Sequence, residues 1–374
     1  MTKIMLTVAA CMSAGMMLFN GPVSAASTLD GDALTQTLEA KRVEDGIVGF
    51  AVGVIDDGYL VYSAGFGEKT LGSGEPITPN SIFHWASVSK PFVATAIMQL
   101  YERGKIDLDD KLVDILPDYE VVDPRTKAIT IRQILSHTAG LPDVENYNWD
   151  KPEFDDFALS RWALKQSPRE LLFTPGTERK YSNLGFEILG VVIERVSGKT
   201  FEQYMQDNIF SPLNMTNSTF YYPDTPEHLR VTGHAGEPNE KHKIAHYPYN
   251  RRHAPSSTLN TNIEEIARFA QALLKGGELD SARILQADTI KKMWAPHWKN
   301  NEDGSNANTL GWSLVVRNGQ TIINHSGWDD GFRSALVLLP GTNQAILFVT
   351  NDEQARPGKF IGLILGQLSK KDGE

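Results

Sequence analysis

The sequence predicts an α+β chain: one antiparallel sheet built from both chain ends, and a mostly helical lobe from the middle. Three observations carry this. Strand-like runs occur near residues 48–66 and again between 312 and 350, with turn signals between them. The stretch from about Ser87 to Met293 reads mostly as helix. No internal repeat or low-complexity linker separates these parts, so the end strands must bury their apolar faces against each other and the helices. A cleft between the two portions is the expected place for a site.

Taken in order, residues 1–25 differ from the rest. Lys3 is their one charged side chain, Ile4 to Phe19 is almost wholly apolar, and Val23-Ser24-Ala25 follows the break at Pro22. This predicts a secretory signal peptide, with the protein periplasmic or secreted and no membrane span left after cleavage. Val8-Ala9-Ala10-Cys11 also resembles a lipobox, an alternative that would anchor the chain at Cys11. One folded unit is then expected over 26–374, with an α/β portion of about 26–86 and 305–374 and a helical portion of about 87–304. Ala33 to Glu44 reads as a helix. Val48–Ile55 and Leu60–Phe66 read as a hairpin around Asp56-Asp57-Gly58. Trp312–Val316, Gln320–His325, Ala335–Leu339 and Ala345–Thr350 read as strands, and Phe360–Leu368 as a closing helix.

Composition narrows the chemistry. The 374 residues are 41% hydrophobic and carry a net charge of −10, with no basic run, which argues against a nucleic-acid partner. Cys11 is the one cysteine, so a disulfide framework and a four-cysteine zinc site are excluded. If the leader is removed, any nucleophile is Ser, Thr, Lys or a carboxylate. His234, His242, His246 and His253 crowd one segment, read as a polar loop. His242 and His246 are four apart, but Lys243 stands where a metalloprotease has glutamate and Pro248 follows, so no metal site is read there. The acidic stretch from Asp143 to Asp156 is read as a solvated loop that could also border the cleft. Gly65-Phe66-Gly67 lacks the third glycine of a dinucleotide site, and Gly-x-Ser-x-Gly is absent, so neither a cofactor nor an α/β-hydrolase is expected.

Ser87-Val88-Ser89-Lys90 precedes a run from Phe92 to Tyr101 that is apolar except for Thr95 and Gln99. A helix hydrophobic nearly all round is buried. Pro91 belongs in a first turn, where its missing N–H costs nothing. Ser87 is thus placed at the lip of a buried helix, with Lys90 a turn further in on the same face. Desolvation there disfavours the ammonium, so the lysine could take the serine proton, while free N–H groups of the turn could steady an oxyanion. A lone Ser-x-x-Lys reads more simply as an N-cap followed by a surface lysine. Tyr181 and Asn183 sit at the mouth of a second helix that runs to Gly198. The tyrosine could relay a proton, and Asn183 could orient Lys90 or a substrate amide. His325-Ser326-Gly327 is placed at a strand end. Gly327 would allow close approach of a ligand, the N–H near Trp328 could donate to an oxyanion, and a protonated His325 could bind a carboxylate.

Together these pieces resemble the serine β-lactamase-related superfamily, nearest its class C-like branch of β-lactamases, D-Ala-D-Ala carboxypeptidases, D-aminopeptidases and family VIII carboxylesterases. The match runs through Trp85 to Phe92, Ile134 to Pro142, Pro175-Gly176-Thr177 to Gly185, Pro212 to Met215, and His325-Ser326-Gly327 with Gly331-Phe332. The resemblance implies a β-lactamase/transpeptidase-like fold with the active site in the cleft between its two portions. It further implies Ser87 as acylated nucleophile, Lys90 as its activating partner and Tyr181 as general base and acid. Asn183, His325, Ser326, Gly327 and Trp328 would bind substrate, with the N–H groups of Ser87 and Trp328 as oxyanion hole. Class C β-lactamases carry Lys-Thr-Gly where this chain has His-Ser-Gly, which weakens the antibiotic-hydrolysis reading. The implied activity is acyl-enzyme hydrolysis of D-amino-acid peptides or small esters. Its alternatives are weak β-lactam hydrolysis and a penicillin-binding module that acylates without efficient turnover.

Overall fold

A strand apolar along its whole length needs cover on both faces. The computed structural model, which describes residues 29–165 and 170–368, shows where that cover comes from. Eight strands make the main sheet: β1 (Gly49–Asp56), β2 (Tyr59–Gly67), β3 (Trp298–Lys299), β4 (Asn306–Asn308), β5 (Ser313–Arg317), β6 (Gln320–Asp329), β7 (Phe332–Leu339) and β8 (Gln344–Thr350). Their order is β2-β1-β8-β7-β6-β5-β4-β3, antiparallel throughout. The chain ends meet where β1 pairs with β8, Phe50 opposite Thr350 and Val54 opposite Ile346. The α+β architecture with a sheet from both ends is the one the sequence predicts.

The two faces of β1 explain its run of buried residues. Phe50, Val52 and Val54 point one way, toward α1 (Gly31–Asp45) and the C-terminal helix (Pro357–Leu368). The Phe50 ring lies 4.6 Å from Phe66, 5.2 Å from Phe348 and 4.8 Å from Phe360, so one side chain ties three strands to that helix. Ala51 and Ile55 point the other way, into the larger core shared with the helices. Gly53 faces the helix Ile263–Leu274, and a Cβ there would sit 2.8 Å from the Ile263 side chain, so glycine lets helix and sheet approach. The buried helix expected after Ser87 is α2 (Ser89–Glu102), with every residue from Ser89 to Leu100 buried. It packs on α3 (Asn183–Ser197), whose N-cap Ser182 accepts from the Gly185 N–H and whose C-cap Gly198 is left-handed at φ +70°.

Two expectations change. The strand read as Gln320–His325 continues to Asp329, so His325, Ser326 and Gly327 lie inside β6, not at its end. They stay paired with β7, Gly327 opposite Ser334. The sheet also takes in Trp298–Lys299, upstream of residue 305 where the α/β portion was expected to resume. Strands of two and three residues carry too little periodicity to be read from sequence. The leader and lipobox within residues 1–25, Cys11 included, lie outside the described residues. Among the described residues no helix is long and apolar enough to cross a membrane.

Phe50→Ala should cost about 3–5 kcal/mol, because it empties a site walled by rings from β2, β8 and the C-terminal helix. The denaturant midpoint checks it; a loss below about 1 kcal/mol would show that the site collapses around the gap.

Candidate active site

The candidate nucleophile sits on a braced, strained turn. Ser87 lies in the 3-10 turn Ala86–Val88 that leads into α2. Ala86 has φ +47°, a left-handed conformation that costs an L-residue roughly 1–2 kcal/mol. Neighbours hold it there. Ser89 Oγ donates to the Ala86 carbonyl at 2.7 Å and accepts from the Leu259 N–H at 2.9 Å. The buried Trp85 indole donates to the Thr261 carbonyl at 3.0 Å, and Ser334 Oγ donates to the Trp85 carbonyl at 2.7 Å. A Cβ on Gly327 would fall 2.4 Å from the Trp85 carbonyl oxygen and 3.0 Å from Ala86 Cβ. Glycine at 327 is thus what lets β6 lie against the serine turn.

Lys90 is fully buried beneath that turn. Its Nζ reaches Ser87 Oγ at 3.0 Å, Asn183 Oδ1 at 2.6 Å and the Ser256 carbonyl at 2.7 Å. Burial pushes its pKa down to about 7, against the opposing pull of Asp329, Asp143 and Glu187. As a neutral amine it donates to Asn183 and Ser256 and keeps a lone pair for the Ser87 hydroxyl proton. The Tyr181 phenol donates to Ser87 Oγ at 3.0 Å. Burial raises the pKa of Tyr181, so it stands as a donor beside the serine. A chain Tyr181–Ser87–Lys90 results, with the amine as proton acceptor near neutrality.

Ser87, Tyr181, Asn183, His325, Ser326, Gly327 and Trp328 all line one cleft of about 370 Å³, and Lys90, buried behind this lining, reaches it through Ser87 Oγ. Of the two roles read for Asn183, the structure shows the first. Its Oδ1 accepts from Lys90, its Nδ2 donates to Asp143 at 3.4 Å, and its backbone N–H donates to Asp143 at 2.7 Å. The Trp328 ring is exposed and lies under the Arg333 guanidinium at 3.9 Å. His325 differs from expectation. Desolvation and the nearby Lys90 push its pKa down to about 3, so it is not the titratable cation foreseen for a carboxylate. Its Nδ1 lies 2.8 Å from the Ser326 carbonyl, which can only accept, so the ring carries a hydrogen on Nδ1. Sequence could not reveal this, because both the burial of the ring and its nearness to Lys90 are made by the fold.

Several contributors were missed. Arg179 carries the one fixed charge among the cleft-lining residues, and no carboxylate lines it. Its place two residues before Tyr181 was the available signal. His137, read as structural, stacks its ring 4.3 Å from Tyr181 and accepts from the Ser182 N–H at 3.2 Å. Burial holds it neutral. The stretch Asp143 to Asp156 is not simply solvated: Asp143 holds Asn183, Asp156 pairs with Arg251 at 2.6 Å, and Tyr147 and Trp149 pack on His253. The histidine-rich segment is likewise no uniform polar loop, since His234 and His253 are fully buried. His242 is exposed on a two-residue strand, and the described residues contain no group of three candidate metal ligands.

The family model for beta-lactamase matches residues 34–363. The chain belongs to that family. Penicillin-binding protein 4* of Bacillus subtilis (strain 168) is 27% identical over 342 residues, 86% of this chain and 71% of that protein. Penicillin-binding protein 4 of Amycolatopsis lactamdurans is 28% identical over 327 residues, 84% of each chain. Protein flp of Staphylococcus aureus (strain COL) is 24% identical, and the match spans only 64% of its length. Among solved structures, the octameric penicillin-binding protein homologue from Pyrococcus abyssi superposes with a TM-score of 0.77 over 90% of this chain and 78% of that one, at 24% identity. The beta-lactamase family consists generally of serine hydrolases, and the expected fold is the one observed.

Two outcomes follow from the electrostatics. Acylation of Ser87 should rise with pH through about 7, as Lys90 loses its proton, and Lys90→Ala should slow it by about 10²–10⁴. A profile flat through neutrality would remove Lys90 as the proton acceptor. His325 stays neutral between about pH 5 and 8, so any change in carboxylate-ligand affinity through about pH 7 should come from Lys90 and be the same in wild type and His325→Gln. A loss of affinity on crossing about pH 6 to 7 that disappears in His325→Gln would restore its cationic role.

Proposed function

We propose that this protein is an exported serine hydrolase that works through an acyl-enzyme on amide or ester bonds. Within that class, the favoured substrates are D-amino-acid peptides ending in a free carboxylate, with small esters next. The observation that carries the reading is the Tyr181–Ser87–Lys90 chain, with both contacts to Ser87 Oγ at 3.0 Å, opening on a cleft whose fixed charge is Arg179. Export rests on the leader read in residues 1–25.

The chemistry is direct. Ser87 Oγ attacks the carbonyl carbon while its proton passes to Lys90 Nζ. Charge builds on the carbonyl oxygen, where the N–H groups of Ser87 and Trp328 can receive it. Collapse breaks the bond to the leaving group, which takes a proton delivered by way of Tyr181, and leaves an ester on Ser87. Water then attacks that ester, the relay runs in reverse, and the acid departs. A carboxylate on the substrate would meet Arg179, with the neutral His325 and Ser326 as hydrogen-bonding neighbours. A second reading, a penicillin-binding module that acylates but barely turns over, draws on the names of the two penicillin-binding relatives. Weak β-lactam hydrolysis is the remaining alternative.

Intact-mass spectrometry separates these readings. A fluorophosphonate should add once to the wild-type chain and not to Ser87→Ala; an adduct that survives that substitution would end the nucleophile assignment. A penicillin adduct that persists for hours, with no turnover of D-Ala peptides or p-nitrophenyl esters, would favour the sensing module. Arg179→Gln should lower kcat/KM about tenfold for carboxylate-ended peptides while leaving simple esters within about twofold. Equal losses on both substrate classes would show that Arg179 does not read the carboxylate.

A further inference from the structure

Glu187 is a fully buried acid in the second turn of α3, one helical turn beyond Asn183 and on the same face. Its Oε1 accepts two hydrogen bonds, from His253 Nδ1 at 2.5 Å and from Ser256 Oγ at 3.1 Å. The other ring nitrogen of His253 accepts from Arg252 Nε at 3.1 Å, so that ring is a neutral donor toward Glu187. The His253 ring is enclosed by Tyr147 at 4.8 Å and Trp162 at 4.7 Å. Both donors, His253 and Ser256, therefore meet a carboxylate group that lies fully inside the protein, where burial of an acid is costly unless other groups use it. The user is next door. Ser256, tethered to Glu187 through its hydroxyl, offers its own carbonyl to Lys90 Nζ at 2.7 Å.

We propose that Glu187 is a positioning residue for the reaction of Ser87: with His253 it fixes the Ser256 carbonyl against Lys90 and places a carboxylate group behind that lysine. This rests on the reading of Ser87 and Lys90 as the acylating pair. The charges facing Lys90 come from three directions. Asp143 acts through Asn183 at the head of α3, Asp329 from β6, and Glu187 from behind, each favouring the ammonium. His137 and His325, also in reach of Lys90, are held neutral. Arg179 is the nearby fixed cation of the cleft wall. Removing the charge of Glu187 takes support from the ammonium, so Lys90 becomes a free base at lower pH. Loosening the Ser256 tether misplaces the amine under Ser87, which lowers the rate on the plateau.

The test is the rate of fluorophosphonate addition to Ser87 as a function of pH, read by intact mass on the full chain. Glu187→Gln should move the acid limb down by roughly half a pH unit or more and lower the plateau about tenfold. Glu187→Asp keeps the charge on a shorter stem, so its limb should stay at the wild-type pH while its plateau falls. Ser256→Ala keeps the carbonyl and the charge but cuts the tether; its plateau should fall with the limb unmoved, and it serves if Glu187→Gln does not fold. A Glu187→Gln profile matching wild type in limb and plateau overturns the assignment, as does a Ser256→Ala plateau equal to wild type. If the wild-type chain forms no adduct on Ser87, the underlying acylation reading fails instead, and the Glu187 assignment falls with it.

Discussion

The burial of Lys90 is the constraint around which the rest of the site is arranged. A lysine with no exposed surface must have its hydrogens placed, and here the partners come from three segments far apart in sequence: Ser87, Asn183 and Ser256. Each partner is itself held. The Ser87 turn is pinned by Ser89, Ser334 and Trp85. Asn183 is fixed by Asp143, and Ser256 by Glu187. The lysine is poised because desolvation and three surrounding carboxylates pull in opposite directions, and the outcome falls near neutrality. Either influence alone would leave an amine permanently charged or permanently neutral at neutral pH.

Much of this was legible in the sequence. An apolar run beginning at Pro91 demands a buried helix, and burial is what makes Ser-x-x-Lys chemically interesting. The strand-like runs and turn signals at both ends pointed to a shared antiparallel sheet. The positions of Ser87, Tyr181 and His325 along the chain, with the motif stretches around them, pointed to the family. What escaped was whatever depends on two distant segments meeting. The neutral state of His325 follows first from its burial and then from the nearby Lys90. The role of Asp143 follows from a loop folding back on the start of α3. His253 and Glu187 are a loop residue and a helix residue in sequence, and only the fold makes them one buried pair.

Strain and close approach are used together at the cleft. Ala86 is held left-handed, and Gly327 removes a side chain that would otherwise strike the same turn. The extension of β6 to Asp329 is the same fact seen from the sheet: the strand passes the serine without breaking its pairing with β7. Substrate groups can then lie along a rigid strand edge in place of a mobile loop, which favours a fixed orientation over adaptability.

The pairing of β1 with β8 has a consequence for how the chain comes into being. The Thr350 hydroxyl donates to the Gly49 carbonyl, 301 residues earlier, and between those two points lies most of the protein. During synthesis from the N-terminus, the β1–β2 hairpin must persist with one edge unsatisfied until nearly every later residue has been added. Such an edge invites pairing with other chains, and closing it carries the entropy of a very long loop. Strand β1, second from the edge of the finished sheet, is thus among the last to gain its second neighbour, and a chaperone that shields that hairpin would act on a late step of assembly.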